Sequence, residues 1–463
     1  MTADPVERTA HRVAGTLGGT LSGFRRLSGG ASRVTFAFDV EGPGATRPCI
    51  IQSVRSGALT PPERVGMEVA LLRAAHEVGV PVPGVVAAEP ESGWMVVDRV
   101  PGETIPRKIL RDPGWEGARG ALAAQCGRAL AAIHTIEPDS IPGLGPSDPF
   151  ADPLAYLDML KEVRPALELG VRWLEAHRPG GSRRVSVHGD FRIGNLLVGP
   201  EGLRAVLDWE LAHAGDPAED LGWLCAPPWR FGGAGEVGGF GPLPELLEAY
   251  VGAGGEPVSA ERVHWWEVYA TVKWATICAL QASAHLSGAT RSVELAAIGR
   301  RLCECEWDLF GLLGLEPSGP PGPEADPRAG RRVTAPFGRP TAAELVEAVR
   351  EYVEGTVMAR SEGAAQFEAR VAANALATVE RELVLGPAIA GAHRERLRTL
   401  GFADDAALAG AIRSGRLDDD WRTVGSALAS AARDQLLVAN PAYLGPTGHR
   451  GAPDPETRDG HAT

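Results

Sequence analysis

Three oxygen-bearing side chains in one part of the sequence have the types and spacing that phosphoryl transfer requires. Asp190 and Asn195 lie in the segment HGDFRIGN, and Asp208 follows Asn195 by thirteen residues. The reaction needs a carboxylate that accepts the proton of the attacking hydroxyl, and an amide oxygen with a second carboxylate to hold Mg²⁺ on the phosphates of ATP. A tight loop and a hairpin would bring these three groups into one volume. The set therefore predicts ATP- and Mg²⁺-dependent phosphoryl transfer.

Each of these residues also has an ordinary structural explanation. The HGD segment is compatible with a turn, Asn195 with a cap on that turn, and Asp208 with the end of a strand. For any one of them alone this is the better interpretation. The complete ordered set favours catalysis, since a motif is more specific than any of its residues.

The surrounding pattern predicts a small strand-rich lobe and a larger helical lobe that would position these residues. Strands dominate the beginning of the chain, and from Gly117 onward the pattern is mainly helical. Residues 1–100 are expected to form the first lobe and residues 101–315 the second. The predicted strands are Phe36–Val40, Cys49–Val54 and Trp94–Val100, and the predicted helices are Arg64–Val78, Ala118–His134, Leu154–His177, Pro244–Ala253 and Val263–Ser287.

A Pro- and Gly-rich stretch, residues 316–339, predicts a linker to a second region. Residues 340–445 begin with a capping box formed by Thr341 and Glu344, and their apolar residues recur at four-residue intervals. They are expected to form a small all-α domain that folds independently. Residues 446–463 are poor in apolar residues and are expected to be a disordered tail.

The composition limits the classes of protein to which the chain can belong. A formal net charge of −13 argues against a nucleic-acid-binding surface. No segment reaches about eighteen uninterrupted apolar residues, which argues against a membrane span, and a cytoplasmic location is expected. Four of the six cysteines are scattered and only Cys303 and Cys305 lie close together, so neither a zinc site nor a disulfide framework is predicted.

Three segments of the chain resemble a known family, the aminoglycoside phosphotransferase/choline kinase-like enzymes. They are VHGDFRIGNLLV, AVLDWELAHAGDPAEDLGWLC and WRFGG, and the resemblance extends over roughly Gly15–Leu315. It is closest to the branch related to kinase domains fused to acyl-CoA dehydrogenases. The resemblance implies an α+β, protein-kinase-like two-lobed fold and transfer of the ATP γ-phosphate to a small-molecule hydroxyl. The region after the linker resembles a helical domain of unknown function that accompanies this branch.

The resemblance also implies roles for the residues of the motif. It assigns Asp190 as the catalytic base, Asn195 and Asp208 as the Mg²⁺ ligands, and Asp220 as a buried brace for the catalytic loop. His188 is placed with the catalytic residues as a support for the loop. For His188 alone, a satisfied structural histidine is the alternative that carries more weight.

Two further segments resemble the nucleotide-binding parts of the family. Leu27–Arg33 precedes a strand and resembles a loop whose glycines allow the backbone to approach phosphates, although a simple turn would look the same. The segment WMVVDRVPG resembles the connection between the lobes, where backbone groups near Asp98 and Val100 would pair with adenine, the alternative being an edge strand. The loop residues expected at the nucleotide are Ser28, Gly29, Gly30 and Ser32.

The chain departs from the family at the basic residue that should contact the phosphates. Its three lysines lie outside the first lobe, and Gln52 stands where the family has lysine or arginine. Glu68 matches the glutamate that orients this basic residue. We expect Arg55, three residues after Gln52, to bring the positive charge to the phosphates with Glu68 as its partner, and Gln52 to donate one hydrogen bond. An exposed loop position for Arg55 is equally compatible with the sequence.

The acceptor site is expected in the helical lobe, where Glu210, Arg230 and Lys273 are candidate residues. Tryptophan and phenylalanine residues cluster around Arg230 and Lys273, although core packing explains each aromatic side chain better. A cation in this region would suit an anionic acceptor such as an acyl-CoA derivative.

Three functions remain open at this stage. The first is a metabolic kinase acting on a hydroxylated small molecule, with a hydroxy acid or its CoA thioester as candidates. The second is an antibiotic kinase, for which the negative charge of the chain would suit a cationic aminoglycoside. The third is a nucleotide-binding pseudokinase or scaffold, which the missing lysine favours and the intact set of Asp190, Asn195 and Asp208 opposes. The acceptor, the oligomeric state and the role of the helical domain do not follow from the sequence.

Overall fold

The structure is a computed structural model that describes residues 5–27, 33–54, 64–147, 155, 157–159, 162–181, 183–319, 322 and 338–445. Contacts divide the chain into two compact units. The first unit contains Met1–Ser147, Gly180–Cys225 and Ala234–Val263, and the second contains Asp148–Pro179, Ala226–Gly233 and His264–Thr463. The domain boundaries expected from the sequence stay a prediction, because contacts between residues do not show which segments fold independently.

An antiparallel sheet of five strands forms the amino-terminal part of the first unit, with the strand order β1-β2-β3-β5-β4. Helix α1 covers one face of it, where Phe36, Phe38 and Ile51 pack against Ala10 and other buried residues of the helix. Burying a side chain such as Phe38 stabilises the fold by about 1.5–3 kcal/mol. The elements are α1 (Pro5–Thr16), β1 (Thr20–Arg26), β2 (Arg33–Gly42), β3 (Ala45–Val54), α2 (Arg64–Glu77), β4 (Val85–Glu89) and β5 (Trp94–Asp98).

Helices and short hairpins make up the remainder of the first unit. Two two-stranded sheets, β6–β9 and β7–β8, flank the HGDFRIGN segment. The elements are α3 (Pro106–Arg111), α4 (Glu116–Ile133), α5 (Pro165–Ala176, which belongs to the second unit), β6 (Val185–Val187), β7 (Leu196–Gly199), β8 (Gly202–Val206), β9 (His213–Gly215), α6 (Pro217–Cys225) and α7 (Leu243–Gly252).

The second unit is helical, and its helices lie on both sides of the linker in the sequence. Helix α14 packs on α10 and α12, and α13 packs on α5. Cys303 of α10, Leu436 of α14 and the following Tyr443 share one buried cluster. The elements are α8 (Ala260–Leu286, whose first residues belong to the first unit), α9 (Val293–Ile298), α10 (Leu302–Leu312), α11 (Ala342–Tyr352), α12 (Gly363–Thr399), α13 (Asp405–Arg413) and α14 (Trp421–Ala439).

The observed elements confirm the α+β class that the sequence predicts. The capping box is present, because Thr341 accepts a hydrogen bond from the Glu344 N–H and Glu344 accepts one from the Thr341 N–H. The continuous helix predicted over Leu154–His177 is wrong, since Arg164 is extended and the helix begins at Pro165. Proline lacks the N–H that a helix interior requires, so it is favoured in the first turn, where that N–H has no partner within the helix.

Among the described residues no helix is both long enough and apolar enough to cross a membrane.

Candidate active site

The HGDFRIGN segment forms a tight loop after β6. Gly189 adopts a positive φ of 78°, and a Cβ atom there would lie 2.4 Å from the Leu211 carbonyl oxygen. Only glycine fits this turn without strain. The loop then closes in a short 3₁₀ turn over Ile193–Asn195, from which β7 leaves.

The carboxylate of Asp190 is held by three side-chain donors. Trp223 Nε1 donates to Oδ1 at 2.9 Å, Asn195 Nδ2 donates to Oδ2 at 2.6 Å, and Arg192 Nε donates to Oδ1 at 3.0 Å. Asp190 is 8% exposed. A carboxylate held by three donors in this way has a fixed orientation, which is a property that a general base requires.

The β7–β8 hairpin returns Asp208 to the neighbourhood of Asn195. The strands pair from Leu196 opposite Val206, and the Leu207 N–H donates to the Asn195 carbonyl oxygen at 2.8 Å. Asp208 follows with a positive φ of 65°. This conformation is uncommon for a residue other than glycine, and such strain recurs at functional sites.

The electrostatic surroundings of Asp208 suit a cation. Although the residue keeps an exposed surface, partial removal of its carboxyl group from water and the negative charges of Glu210 and Asp190 raise its pKa to about 6. The amide nitrogen of Asn195 is committed to Asp190, which leaves the metal-ligand role to the amide oxygen. Two hard oxygen ligands fit Mg²⁺, which takes few protein ligands and completes its shell with phosphate oxygens and water.

No group of three or more His, Cys, Asp or Glu side chains within the described ranges could hold a metal ion by itself. A closed protein cage of the zinc or calcium type is therefore absent from that part of the chain. The pair formed by Asn195 and Asp208 fits a metal that arrives with a nucleotide, since the phosphates would supply the missing ligands.

Asp220, near the start of α6, connects the catalytic loop to the helical part of the unit. Its carboxylate accepts the backbone N–H groups of His188 and Gly189 at 2.8 and 2.9 Å, and it lies 3.1 Å from His134 Nε2. Burial works against its charge, but the hydrogen bond and charge of His134 and the bond from His188 hold the pKa of Asp220 below its usual range. These contacts suit the brace that the sequence predicts.

His188 is fully buried, and both of its ring nitrogens have backbone partners. Nε2 lies 3.0 Å from the Leu207 carbonyl oxygen, and Nδ1 accepts the Asp190 N–H at 3.2 Å. Burial lowers the pKa of His188, so the ring is neutral. It therefore ties the loop to the residue before Asp208, which favours support over proton transfer.

Glu68 on α2 pairs with Arg33 on β2. Arg33 donates to both carboxylate oxygens of Glu68, with Nη1 2.8 Å from Oε2, and its Nε lies 3.9 Å from Glu210 Oε2. Arg33 is 7% exposed and Glu68 is 2% exposed. Burial, with the charges of Asp208 and Glu210 against that of Arg33, raises the pKa of Glu68 to about 7.

The other expected nucleotide-binding residues are only partly described. Gln52 lies on β3 opposite Thr35 of β2. The Asp98 N–H donates to the Gly84 carbonyl oxygen at 2.8 Å, so this N–H already has a partner within the protein. The residues that lie outside the described ranges are Ser28, Gly29, Gly30, Ser32 and Arg55.

The three acceptor-site candidates are divided between the units. Glu210 lies beside Arg33, and its carbonyl oxygen accepts a hydrogen bond from Arg64 at 2.8 Å. In the second unit, Arg230 Nη2 lies 3.1 Å from Glu267 Oε1, and Lys273 lies over the ring of Tyr269. Within the first unit, Glu210 therefore lies in the surroundings of the Arg33–Glu68 pair.

Sequence reasoning missed Arg33, Arg192 and the contact of Trp223 with Asp190. Trp223 follows Asp220 by three residues on α6, so both side chains lie on one face of that helix. Since Asp220 is expected under the catalytic loop, this spacing could have placed Trp223 there as well. The position of Arg33 near Gln52 depends on the register between β2 and β3, which the sequence does not give.

The sequence profile of the phosphotransferase enzyme family matches residues 23–265. The profile of a domain of unknown function (DUF6285) matches residues 359–443. The first match includes the catalytic loop and the Arg33–Glu68 pair, and the second lies within the helices after the linker.

Curated relatives share part of the chain. Acyl-CoA dehydrogenase family member 10 of Mus musculus is 31% identical over 197 residues, which are 39% of this chain and 18% of the mouse protein. Acyl-CoA dehydrogenase family member 11 of Homo sapiens is 25% identical over 225 residues, which are 43% of this chain and 29% of the human protein. The chain thus spans less than a third of the length of these relatives.

Two crystal structures have a similar fold. One is provisionally described as an aminoglycoside phosphotransferase of Ralstonia eutropha JMP134 and gives a TM-score of 0.52 at 21% identity. The match covers 67% of this chain and 97% of the Ralstonia chain. The other, spectinomycin phosphotransferase in complex with ADP and spectinomycin, gives 0.50 at 13% identity and covers 66% and 98%. At these identities the likeness shows the fold alone, and it confirms the kinase-like fold that the sequence predicts.

Proposed function

Because the chain belongs to the phosphotransferase enzyme family, we propose that it is a small-molecule kinase that transfers the γ-phosphate of ATP to a hydroxyl group. The observation that carries this proposal is the carboxylate of Asp190, held by Trp223, Asn195 and Arg192 in the loop before the β7–β8 hairpin, which Asp208 follows. A fixed base next to a pair of hard oxygen ligands matches the division of labour in phosphoryl transfer.

Each residue of the centre has a distinct task in this proposal. Asp190 accepts the proton of the acceptor hydroxyl and orients that oxygen toward the phosphate. The Asn195 amide oxygen and the Asp208 carboxylate would hold Mg²⁺, which would supply positive charge against the phosphates of ATP. His188 and Asp220 keep the loop in position through backbone hydrogen bonds.

The nucleotide is proposed to lie against the sheet of the first unit. Its adenine would pair with the backbone near Asp98 and Val100, and Gln52 would donate a hydrogen bond to a phosphate oxygen. The glycine-rich loop that contains Ser28, Gly29, Gly30 and Ser32 would cover the phosphates. Glu68 would orient the basic partner of the phosphates.

The proposed acceptor is a hydroxy acid or a hydroxyacyl-CoA thioester. This choice is supported by the curated relatives, whose names place them with the acyl-CoA dehydrogenases. Arg230 and Lys273 are proposed to meet the negative charge of such an acceptor, with Glu210 as a further candidate. An aminoglycoside is the alternative acceptor, supported by the fold of the Ralstonia protein and by the net charge of −13.

A pseudokinase is the alternative from a different functional class. The neutral Gln52 favours it, whereas the contacts of Asp190 and Asn195 oppose it. A protein that only binds a nucleotide has no chemical need for a base held by three donors. We therefore propose active catalysis.

The test is a transfer assay with ATP labelled in its γ-phosphate. Purified full-length protein is incubated with Mg²⁺ and separate pools of hydroxy acids, hydroxyacyl-CoA thioesters and aminoglycosides, with Asp190→Asn and EDTA as controls. We expect label in a compound of the first two pools with the wild type only. Label in the aminoglycoside pool would identify the alternative acceptor, and ATP binding without transfer to any pool would favour a pseudokinase.

A further inference from the structure

The chain lacks a basic residue at the strand position where its family supplies one. Gln52 occupies that position on β3, and none of the three lysines lies in the five-stranded sheet. We propose that Arg33 on the neighbouring strand β2 is the residue that binds the phosphates of ATP, so that the cation has moved from β3 to β2. This inference rests on the proposed function and names the residue that anchors its nucleotide.

The register of the two strands places Arg33 on the same face of the sheet as Gln52. Arg33 pairs with Val54, and Thr35 pairs with Gln52. Directly opposite residues of an antiparallel pair lie on one face, and residues two apart in a strand do so as well. Arg33 and Gln52 are therefore diagonal neighbours, whose Cβ atoms are typically about 7–8 Å apart.

The opposite face of these strands is occupied by the core. Phe36 and Phe38 of β2 and Ile51 of β3 pack against α1. Because side chains alternate along a strand, the face that carries Arg33 and Gln52 is the one turned away from α1. A long arginine side chain on that face can reach the volume that a lysine at position 52 would occupy.

The partner of Arg33 is the one that the family gives to its strand lysine. Both oxygens of the Glu68 carboxylate accept hydrogen bonds from the Arg33 guanidinium. In the kinase-like fold a helix glutamate holds the basic residue in the orientation that meets the phosphates. Glu68 thus already orients a cation, and that cation is Arg33.

The negative charges around Arg33 would repel the phosphates of ATP unless a cation lay between them. The carboxylates of Glu68 and Glu210 lie next to Arg33, and Asp208 contributes negative charge to the same surroundings. A triphosphate would add further negative charge. A guanidinium has five donors, so it can keep Glu68 and still offer N–H groups to phosphate oxygens.

The competing explanation is that the Arg33–Glu68 ion pair only stabilises the fold. Ligands with and without phosphates distinguish this explanation from phosphate binding. Binding constants of the full-length protein are measured for Mg-ATP and for adenosine, which lacks phosphates. In Arg33→Gln we expect the Kd for Mg-ATP to rise about tenfold to a hundredfold and the Kd for adenosine to stay the same. A structural role would raise both constants together or neither.

A second variant tests the position of the cation. In Arg33→Gln/Gln52→Lys the positive charge returns to β3 on the face that carried Arg33, and we expect the Kd for Mg-ATP to return to within about threefold of the wild-type value. If Arg33→Gln melts below the assay temperature, Arg33→Gln/Glu68→Gln removes the buried carboxylate and is measured in its place. Arg12→Gln, which removes an arginine from the exposed Arg12–Glu89 pair, is the matched control and should change neither constant.

The outcomes separate this inference from the function on which it rests. Wild-type protein that does not bind Mg-ATP contradicts the proposed function and the inference with it. Wild-type binding with an unchanged Kd for Mg-ATP in Arg33→Gln contradicts the inference alone. A loss of Mg-ATP affinity in Arg55→Ala but not in Arg33→Gln would give the phosphate-binding role to Arg55 and overturn it as well.

Discussion

At the scale of single residues, the indole of Trp223 orients the catalytic base by one hydrogen bond to Asp190 Oδ1. Trp223→Phe keeps most of the buried ring and removes this donor. We expect phosphate transfer to slow by about tenfold to a hundredfold, since a hydrogen bond to a charged group contributes about 1.5–3 kcal/mol, and the Kd for Mg-ATP to stay unchanged. Steady-state kinetics and a nucleotide titration measure the two quantities.

A matched control exists in the second unit. Trp265 Nε1 donates to the Leu174 carbonyl oxygen at 3.0 Å, so Trp265→Phe also removes one buried indole hydrogen bond. This variant should lower the melting temperature and leave the transfer rate unchanged. Equal slowing in both variants would mean that Trp223 acts through general stability and not through Asp190.

The residues of the centre differ in how far the sequence could predict them. Asp190, Asn195 and Asp208 lie within one loop and one hairpin, so their spacing alone brings them together. Arg33 and Glu68 are 35 residues apart and meet through sheet register and the placement of α2. The alternation of Val34, Phe36 and Phe38 along β2 places Arg33 on the face away from the core, but it does not indicate which strand or helix that face meets.

At the scale of elements, the position of the catalytic loop depends on the first turn of α6. In Asp220→Asn the side chain retains one oxygen, so its NH₂ group would face a backbone N–H of His188 or Gly189. We expect the free energy of unfolding to fall by about 3 kcal/mol because the group is completely buried, and transfer to fall with it. Denaturant unfolding monitored by circular dichroism measures the first effect.

The same helix provides a milder comparison. Asp216 precedes α6, accepts the Ala218 N–H at 2.9 Å and pairs with Arg262. Asparagine caps a helix about as well as aspartate, so Asp216→Asn should cost about 1 kcal/mol. A loss as large as that of Asp220→Asn would contradict the special role of Asp220 under the loop.

Helix α10 carries a buried acid whose protonation should make stability depend on pH. Burial raises the pKa of Asp308 to about 8, against the hydrogen bond that its Oδ2 accepts from Tyr443 at 2.7 Å. Between about pH 4, the ordinary value of an unfolded aspartate, and about pH 8 the folded chain holds a proton that the unfolded chain has released. Stability from this group is therefore lost as the pH rises through that window.

Asp308→Asn removes this titration while keeping an oxygen for Tyr443. We expect the melting temperature of the variant, relative to the wild type, to increase from pH 5 to pH 8. Differential scanning calorimetry at several pH values shows the trend. A difference that does not change with pH would mean that Asp308 is ionised in the folded protein.

Most helix ranges were predicted well from local sequence patterns. The pairing of strands was not predicted, because it depends on contacts between distant parts of the chain. Helices α2, α4 and α7 lie within a few residues of the predicted ranges, and in α7 the buried Leu246 and Tyr250 are four residues apart on one face. The strand order β1-β2-β3-β5-β4 could not be predicted. The alternation of apolar and polar residues along a strand shows which face is buried but not which strand pairs with it. The break before Pro165 was available from the sequence and was overlooked.

At the scale of the whole chain, the helices after the linker share a core with helices before it. Leu436 of α14 and Tyr443 pack in one cluster with Cys303 of α10, and Arg413 pairs with Glu168 of α5. The sequence predicts an independent all-α domain, whereas these contacts favour stabilisation of the second unit by the carboxyl-terminal helices. The two expectations differ in how removal of the carboxyl-terminal helices changes the melting temperature of the remaining chain.

We expect a chain that ends at residue 319 to melt at a lower temperature than the full-length protein. The truncation removes Leu436, which is fully buried, and exposes the α10 side of the cluster. A chain that ends at residue 445 keeps all of these contacts and is the control. Identical melting temperatures for both truncations would show that residues 340–445 are energetically separate, as the sequence predicts.

The central claim for the molecule is that two carboxylates of one loop and hairpin have different tasks, Asp190 on the acceptor and Asp208 on Mg²⁺. Calorimetric titration of ATP with and without Mg²⁺ tests it directly. Asp190→Asn should retain the gain in ATP affinity that Mg²⁺ gives, while transfer falls by about 10²–10⁴-fold, and Asp208→Ala should lose that gain. An unchanged Mg²⁺ effect in Asp208→Ala, or near wild-type transfer in Asp190→Asn, would contradict the account.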